Sequence, residues 1–227
     1  DASRVNVTLN GIPYNDSESQ GTFWVNLPDF ASSIQNLQLQ RGVGTSSNGS
    51  GAFGASLNIL TDGTSEEAYG EISNSFGSFN TRKHNVKFST GLLKDRIEIA
   101  GRLSKIESDG YIDIASSDLK SYFLQGAYKD RNTLVKVLTF GGQEETYQAW
   151  NGIDAETLEN DRTFNPSGMY TDEDGNTRFY DNEVDNYAQD HYQVLWNQRY
   201  DNNWSSNVAL NYTYGRGYFE QYKEDED

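Results

Sequence analysis

The sequence predicts a mainly β protein in two parts: short strands and glycine turns over residues 1–62, then antiparallel strands of a transmembrane β-barrel over 63–227. Four observations point to it. From about residue 66, apolar and polar side chains alternate over segments of about ten residues or more, with no proline until Pro166, the period-2 signature of strands. No run of about 18 apolar residues exists, which excludes a membrane-spanning helix but not a barrel, whose strands need only about ten alternating residues. The mean hydropathy of −0.79 is compatible with such a wall, because the alternate face is polar. Tight and long connections also alternate along the chain.

In the first part, residues 28–35 are helix-like, with Asp29 and Ser32 placed to start a turn. Residues 36–58 lead a strand into a glycine-rich turn and out into another strand. Gly49, Gly51 and Gly54 spell G-x-G-x-x-G, but a dinucleotide site needs a helix after the glycines, and residues 55–60 read as extended. No Lys-Ser or Lys-Thr follows, so a Walker-type loop is not supported either.

In the second part the expected strands are 68–76, 82–92, 97–107, 119–128, 133–144, 187–200 and 204–219. In 187–200 one face collects Tyr192, Val194, Trp196 and Tyr200 and the other Gln193, Asn197 and Arg199, with Leu195 as an exception. In 204–219 Val208, Leu210, Tyr212 and Tyr214 alternate with Asn207, Ala209, Asn211 and Thr213. A lipid-facing wall requires this pattern, with aromatic residues favoured at both interfaces. Connections 93–96, 129–132 and 201–203 are tight and 108–118 and 145–186 long, as barrels with short periplasmic turns and long external loops would have; 77–81 is a short exception. A soluble β-sandwich also alternates, but its strands are usually about five or six residues long.

The formal charge of −16 and pI near 4.4 argue against nucleic acid as a partner, since phosphate binding needs clustered Lys and Arg. Without cysteine, neither disulfides nor thiolate metal sites contribute. Asp172, Asp174, Asn176 and Glu183 fall at EF-hand positions, but Thr177 stands where that loop needs glycine, and Asp174-Gly175 is a hairpin signal, so a hairpin is expected. His84 and His191 lie on separate strands, and no Gly-x-Ser-x-Gly elbow exists. No catalytic residue, metal or cofactor is assigned, and an enzyme is not expected. Arg41 either pairs with wall carboxylates through its bidentate fork or is a solvated turn residue. In the loop 145–186, Tyr147, Trp150, Tyr170, Phe179 and Tyr180 either contact a ligand or order the loop itself. The acidic end, 223–227, reads as a solvated external loop.

The first part closely resembles the second half of the plug domain of TonB-dependent outer-membrane receptors, whose motifs run V-x-V-x-x-D/N-G-x-P, R-G, then G-x-G-A-x-G-x-x-x-N-I. Val5, Val7, Asn10, Gly11 and Pro13 meet the first motif, with Asn10 where many members have aspartate. Arg41 and Gly42 meet the second, and Gly49, Gly51, Ala52, Gly54, Asn58 and Ile59 the third. Residues 102–111 resemble the strand and loop that open the barrel in some of these receptors. The resemblance implies an outer-membrane location and a plug closing a barrel of about 22 strands. It further implies TonB-driven import of a scarce nutrient, foremost a ferric chelate; the alternative is a surface binding or adhesion barrel without import. The implied partners are TonB, through a segment not in this chain, a small-molecule nutrient and outer-membrane lipid. The chain begins mid-pattern at Asp1 without a secretion signal and reads as a fragment of a longer receptor.

Overall fold

Every expected wall strand forms, and a small sheet precedes them. The computed structural model describes residues 2–43 and 53–223. The small sheet contains β1 (Val5–Leu9), β2 (Ile12–Pro13), β3 (Ile34–Arg41) and β4 (Ala55–Thr61), in the order β2-β1-β4-β3. β1 lies parallel to β4 from Val5↔Ala55 to Leu9↔Ile59, and β3 is antiparallel to β4. Asn10 and Gly11 join β1 to β2 with φ of +55° and +80°, the left-handed pair that an Asn-Gly hairpin adopts with little strain. The helix-like piece 28–35 is instead a 3-10 turn over Phe30–Ser33, and β3 begins directly at Ile34. Asp29 has φ +50°, outside the helical region, and accepts Ser32 Oγ at 2.6 Å; this local bond supports a turn rather than a helix.

Seven strands then form one antiparallel meander: β5 (Ala68–Phe76), β6 (Arg82–Thr90), β7 (Ile97–Ser108), β8 (Ser117–Lys129), β9 (Thr133–Tyr147), β12 (Val184–Arg199) and β13 (Ser205–Phe219). Between β9 and β12 stand the short helix α1 (Ala155–Asn160) and the hairpin β10 (Met169–Thr171) with β11 (Thr177–Phe179). The hairpin replaces a calcium loop: Asp172 Oδ1 accepts the backbone N–H groups of Asp174 and Asn176, and Gly175 takes φ +82°. The loop is tied to the neighbouring connection, where Asn165 Nδ2 donates to the carbonyls of Asp113 and Gln148.

Alternation divides the wall into two faces. On the outer face Tyr192, Val194 and Trp196 are exposed and lie in register with Tyr212, Leu210 and Val208 of β13. The inner face packs against the small sheet, so the core sits at the seam: Val7, Leu9, Leu27, Phe30 and Ile59 meet Phe123, Leu138 and Phe140. Leu195 breaks the polar pattern of its face because it packs on this cluster. Each such side chain contributes about 1.5–3 kcal/mol by leaving water. Phe30 and Phe123 both contact the Phe140 ring, at centroid distances of 5.0 and 6.2 Å.

Candidate functional site

The densest network of charged and hydrogen-bonded side chains lies in the seam between the small sheet and the wall. Along the inner phase of β6, β7 and β9 the sequence places Lys83, Lys87, Arg102 and Lys136. Cations turned inward require carboxylates opposite them, because an unpaired buried charge is costly. Asp29 supplies one. Its Oδ1 accepts Lys83 Nζ at 2.5 Å and Ser32 Oγ; its Oδ2 accepts Asn85 Nδ2 at 2.8 Å, Ser104 Oγ at 2.5 Å and Arg102 Nη1 at 3.2 Å. Arg102 is only 2% exposed and is further held by Ser33 Oγ and Ser121 Oγ, at 2.7 and 3.1 Å. Burial pushes the Asp29 carboxyl up, but the Lys83 ammonium, the Ser104 and Ser32 hydroxyls and the Asn85 amide outweigh it and hold the pKa at about 2.

A second ionic tie fixes the chain where it leaves the small sheet. Asp62 pairs with Lys87 at 2.6 Å, and its carbonyl accepts Lys136 Nζ at 2.8 Å. Glu98 Oε1 accepts the Ser65 backbone N–H at 2.8 Å, so the link is held on β7 as well. All three ion pairs between the small sheet and the wall, among the described residues, therefore lie on β6 and β7.

Toward β12 the seam is neutral. Asn10 Nδ2 donates to Gln193 Oε1 at 3.0 Å while Asn10 Oδ1 accepts the N–H and hydroxyl of Thr61. Tyr14 donates to Gln189 Oε1 at 3.3 Å and contacts His191 ring to ring at 5.5 Å. Burial, then the neighbouring Tyr187, raise the Tyr14 hydroxyl above its ordinary pKa, so it remains a donor at neutral pH. Neutral hydrogen bonds contribute about 1 kcal/mol net each, against about 3–5 kcal/mol to break a buried ion pair by removing one partner. Beside them lies a cleft of about 520 Å³, lined by Tyr14, Asn15 and Asp16 on one side and Gln189, Asn211 and Thr213 on the other.

The described motif residues are spread along the small sheet, and Asn10 is the one among them with a side-chain hydrogen bond to the wall. Gly11 completes the turn, and Pro13 pairs with Thr8. Gly42 takes φ +83° and donates its N–H to the Gly54 carbonyl at 2.8 Å, while Gly54 approaches Arg4 so closely that a Cβ would sit 3.2 Å from its carbonyl. Gly49, Gly51 and Ala52 lie outside the described residues, as do residues 224–227 of the acidic end. Arg41 is exposed at the end of β3 and forms no ion pair with the wall among the described residues. The seam has the opposite polarity: carboxylates on the small sheet and its exit meet cations on the wall, and the inward Glu98 is already engaged by Ser65, Ser89 and Gln125.

In the loop, Tyr147 donates to the Tyr180 carbonyl at 2.7 Å, Tyr170 stacks on Tyr222 at 4.4 Å and Tyr180 donates to Glu220. Phe179 meets Phe164 edge-on at 6.5 Å, and Trp150 is 64% exposed. Four of the five rings thus help order the loop, and the Trp150 ring offers the most accessible surface. Among the described residues no group of three or more His, Asp or Glu side chains converges as a metal site. His84 contacts Asn74 and Phe76, and His191 stacks on Phe140.

No protein-family model matches the chain, and no curated protein matches its sequence. Solved structures do match. The alcaligin outer-membrane receptor FauA of Bordetella pertussis superposes with a TM-score of 0.70 at 15% identity, over 95% of this chain and 31% of that one. The fold is that of TonB-dependent outer-membrane receptors. The ferric-catecholate import receptor Fiu of E. coli gives 0.68 at 13% identity over 96% of this chain and 32% of that one. The pyoverdine receptor FpvA of Pseudomonas aeruginosa gives 0.69 at 14% identity over 95% and 31%. The chain thus spans about a third of the length of the receptors it resembles. These neighbours are receptors rather than enzymes.

Proposed function

We propose that this chain is part of an outer-membrane receptor that imports a ferric chelate with energy delivered through TonB. Residues 1–62 are the second half of its plug, and 63–227 the first seven strands of its barrel. The observation that carries the reading is a small mixed sheet docked by a buried ionic seam on the inner face of an antiparallel wall whose outer face is apolar and aromatic. That arrangement fits a plug inside a barrel, because a sheet spans lipid without unpaired backbone groups only when its strands close on themselves. The names of its structural neighbours support the cargo class. Trp150 on the long loop is then a ligand contact, with Tyr147, Tyr170, Phe179 and Tyr180 shaping the loop around it.

The test is uptake of labelled siderophores, haem, cobalamin and oligosaccharides by cells carrying the full-length gene, with and without working TonB. Uptake of one ferric chelate that disappears without TonB is expected. Binding with no TonB-dependent uptake of any ligand would overturn the reading in favour of a surface binding or adhesion barrel.

A further inference from the structure

The outer face of the wall carries an apolar band and, on its long-loop side, cations. Ile99, Gly126, Val137, Val194 and Leu210 form one cross-strand row of the band. Nearer the loops, on the same face, His84 stands opposite Lys105, and Lys105 opposite Lys120. Like charges directly opposite one another destabilise a sheet, and such departures from local rules are expected at functional surfaces. Carboxylates relieve the pair unequally. Glu107 and Asp118 lie 2.6 and 3.5 Å from Lys105 Nζ, whereas Lys120 Nζ comes no nearer than 4.0 Å to Asp118 and its side chain is 58% exposed. We infer that this face binds one phosphorylated lipid of the leaflet on the long-loop side, with its phosphate on Lys105 and Lys120 and an acyl chain over Gly126. The inference rests on the barrel reading above, in which this face meets lipid.

The shape of the face fits that occupant. A groove of about 520 Å³ opens between the cations and Val86, Leu103 and Tyr122. A second, of about 480 Å³, runs along Leu124, Gly126, Val137 and Val194. Tyr122 and Leu124 are successive outward residues of β8, so the two hollows follow one another down the wall. Gly126 makes the furrow, since a Cβ there would meet nothing within 4 Å. Lys105 and Lys120 stand on β7 and β8, which are flanked by β6 and β9, so neighbouring strands wall the site on both sides. Arg216 closes the first groove from β13, with Nη1 donating to Asp190 at 2.6 Å. A soluble anion would leave the furrow unfilled, and a neutral lipid would leave the two lysines opposed. A phosphorylated lipid satisfies both parts, because ammonium groups at a membrane surface attract anionic headgroups and the chain covers the apolar band.

The test is native mass spectrometry of the full-length receptor in detergent, titrated with dioleoyl phosphatidic acid or with dioleoyl phosphatidylcholine. One phosphatidic acid should bind at a concentration at least about tenfold below that needed for phosphatidylcholine. Lys105→Gln with Lys120→Gln should remove this preference, and Gly126→Leu, which fills the furrow and keeps both cations, should weaken the bound phosphatidic acid. Lys129→Gln with Arg131→Gln, at the opposite end of the wall, should leave the preference intact. Circular dichroism checks that each variant is folded, and a competition on the unmodified receptor needs no variant: excess inorganic phosphate should fail to displace the lipid. Displacement by inorganic phosphate, equal binding of the two lipids, or equal loss in the Lys129 and Arg131 variant overturns the site. Lipid binding is read without transport, so absence of TonB-driven uptake in cells would overturn the import reading and leave the lipid site standing.

Discussion

Asp29 accepts five hydrogen bonds, four of them from wall side chains on β6 and β7. A carboxyl lowered from 3.8 to about 2 gives the docked sheet about 2 kcal/mol. The folded pKa is depressed, so this stabilisation is present above the unfolded value of 3.8 and is lost as pH falls toward 2. Asp29→Asn removes the charge while Arg102 stays buried, and is expected to cost about 3–5 kcal/mol at neutral pH. The check is the urea midpoint of the full-length receptor in detergent: the gap between wild type and variant should narrow between about pH 4 and pH 2. A gap independent of pH would remove Asp29 as the titrating group. The sequence carried half of this site. Lys83, Lys87, Arg102 and Lys136 share the inward phase of their strands, which demands anions opposite them, but no spacing rule says which acid on a distant segment answers. Asp29 is legible only as a turn residue, and Arg41, whose guanidinium suits a carboxylate, stands exposed at a strand end and forms no ion pair with the wall among the described residues.

The wall strands were legible because one buried face enforces a strict period of two, and turn residues punctuate it. The element ends shifted by a few residues, where backbone pairing continues past the last alternating side chain, as in β9 running on to Tyr147. The 3-10 turn was not legible, since Asp29 followed by Ser32 can open either a helix or a tighter turn. Nor was the fit of β9 against that turn. A Cβ on Gly142 would lie 2.6 Å from Pro28 Cδ and Cγ and 2.9 Å from the Lys120 carbonyl, none of which is a flexible side-chain end. Gly142→Ala should therefore push residues 28–33 off the wall, destabilising the docked sheet by about 1–3 kcal/mol. Limited proteolysis of the full-length receptor in detergent would show faster cleavage within 1–62. Gly126→Ala, where nothing lies within 4 Å, should cleave as wild type does. Equal rates in the two variants would mean that Pro28 does not need the glycine.

At the scale of the molecule, β5 and β13 are the edges of the seven-stranded sheet among the described residues. Long bare edges are rare because they template aggregation, and closure into a barrel removes them. The sequence shows which face of each strand is apolar and so which face the proposed barrel turns to lipid, yet a net charge of −16 hides it from any average over the chain. The outer band makes the lipid contact testable with the four tryptophans present. Trp196 stands on the outer face of β12 in register with Val135 and Val208, and Trp204 is 72% exposed just before β13. Trp24 lies in the seam region and Trp150 on the long loop. In variants of the full-length receptor that retain one tryptophan each, reconstituted in brominated phospholipid, Trp196 and Trp204 should be quenched and Trp24 and Trp150 should keep their emission. Aromatic rings at a lipid boundary sit within reach of brominated chains, whereas rings inside the barrel or beyond the headgroups do not. Quenching of Trp150 alone would put the loop rather than the wall in the bilayer, and equal emission from all four would leave the outer face without lipid.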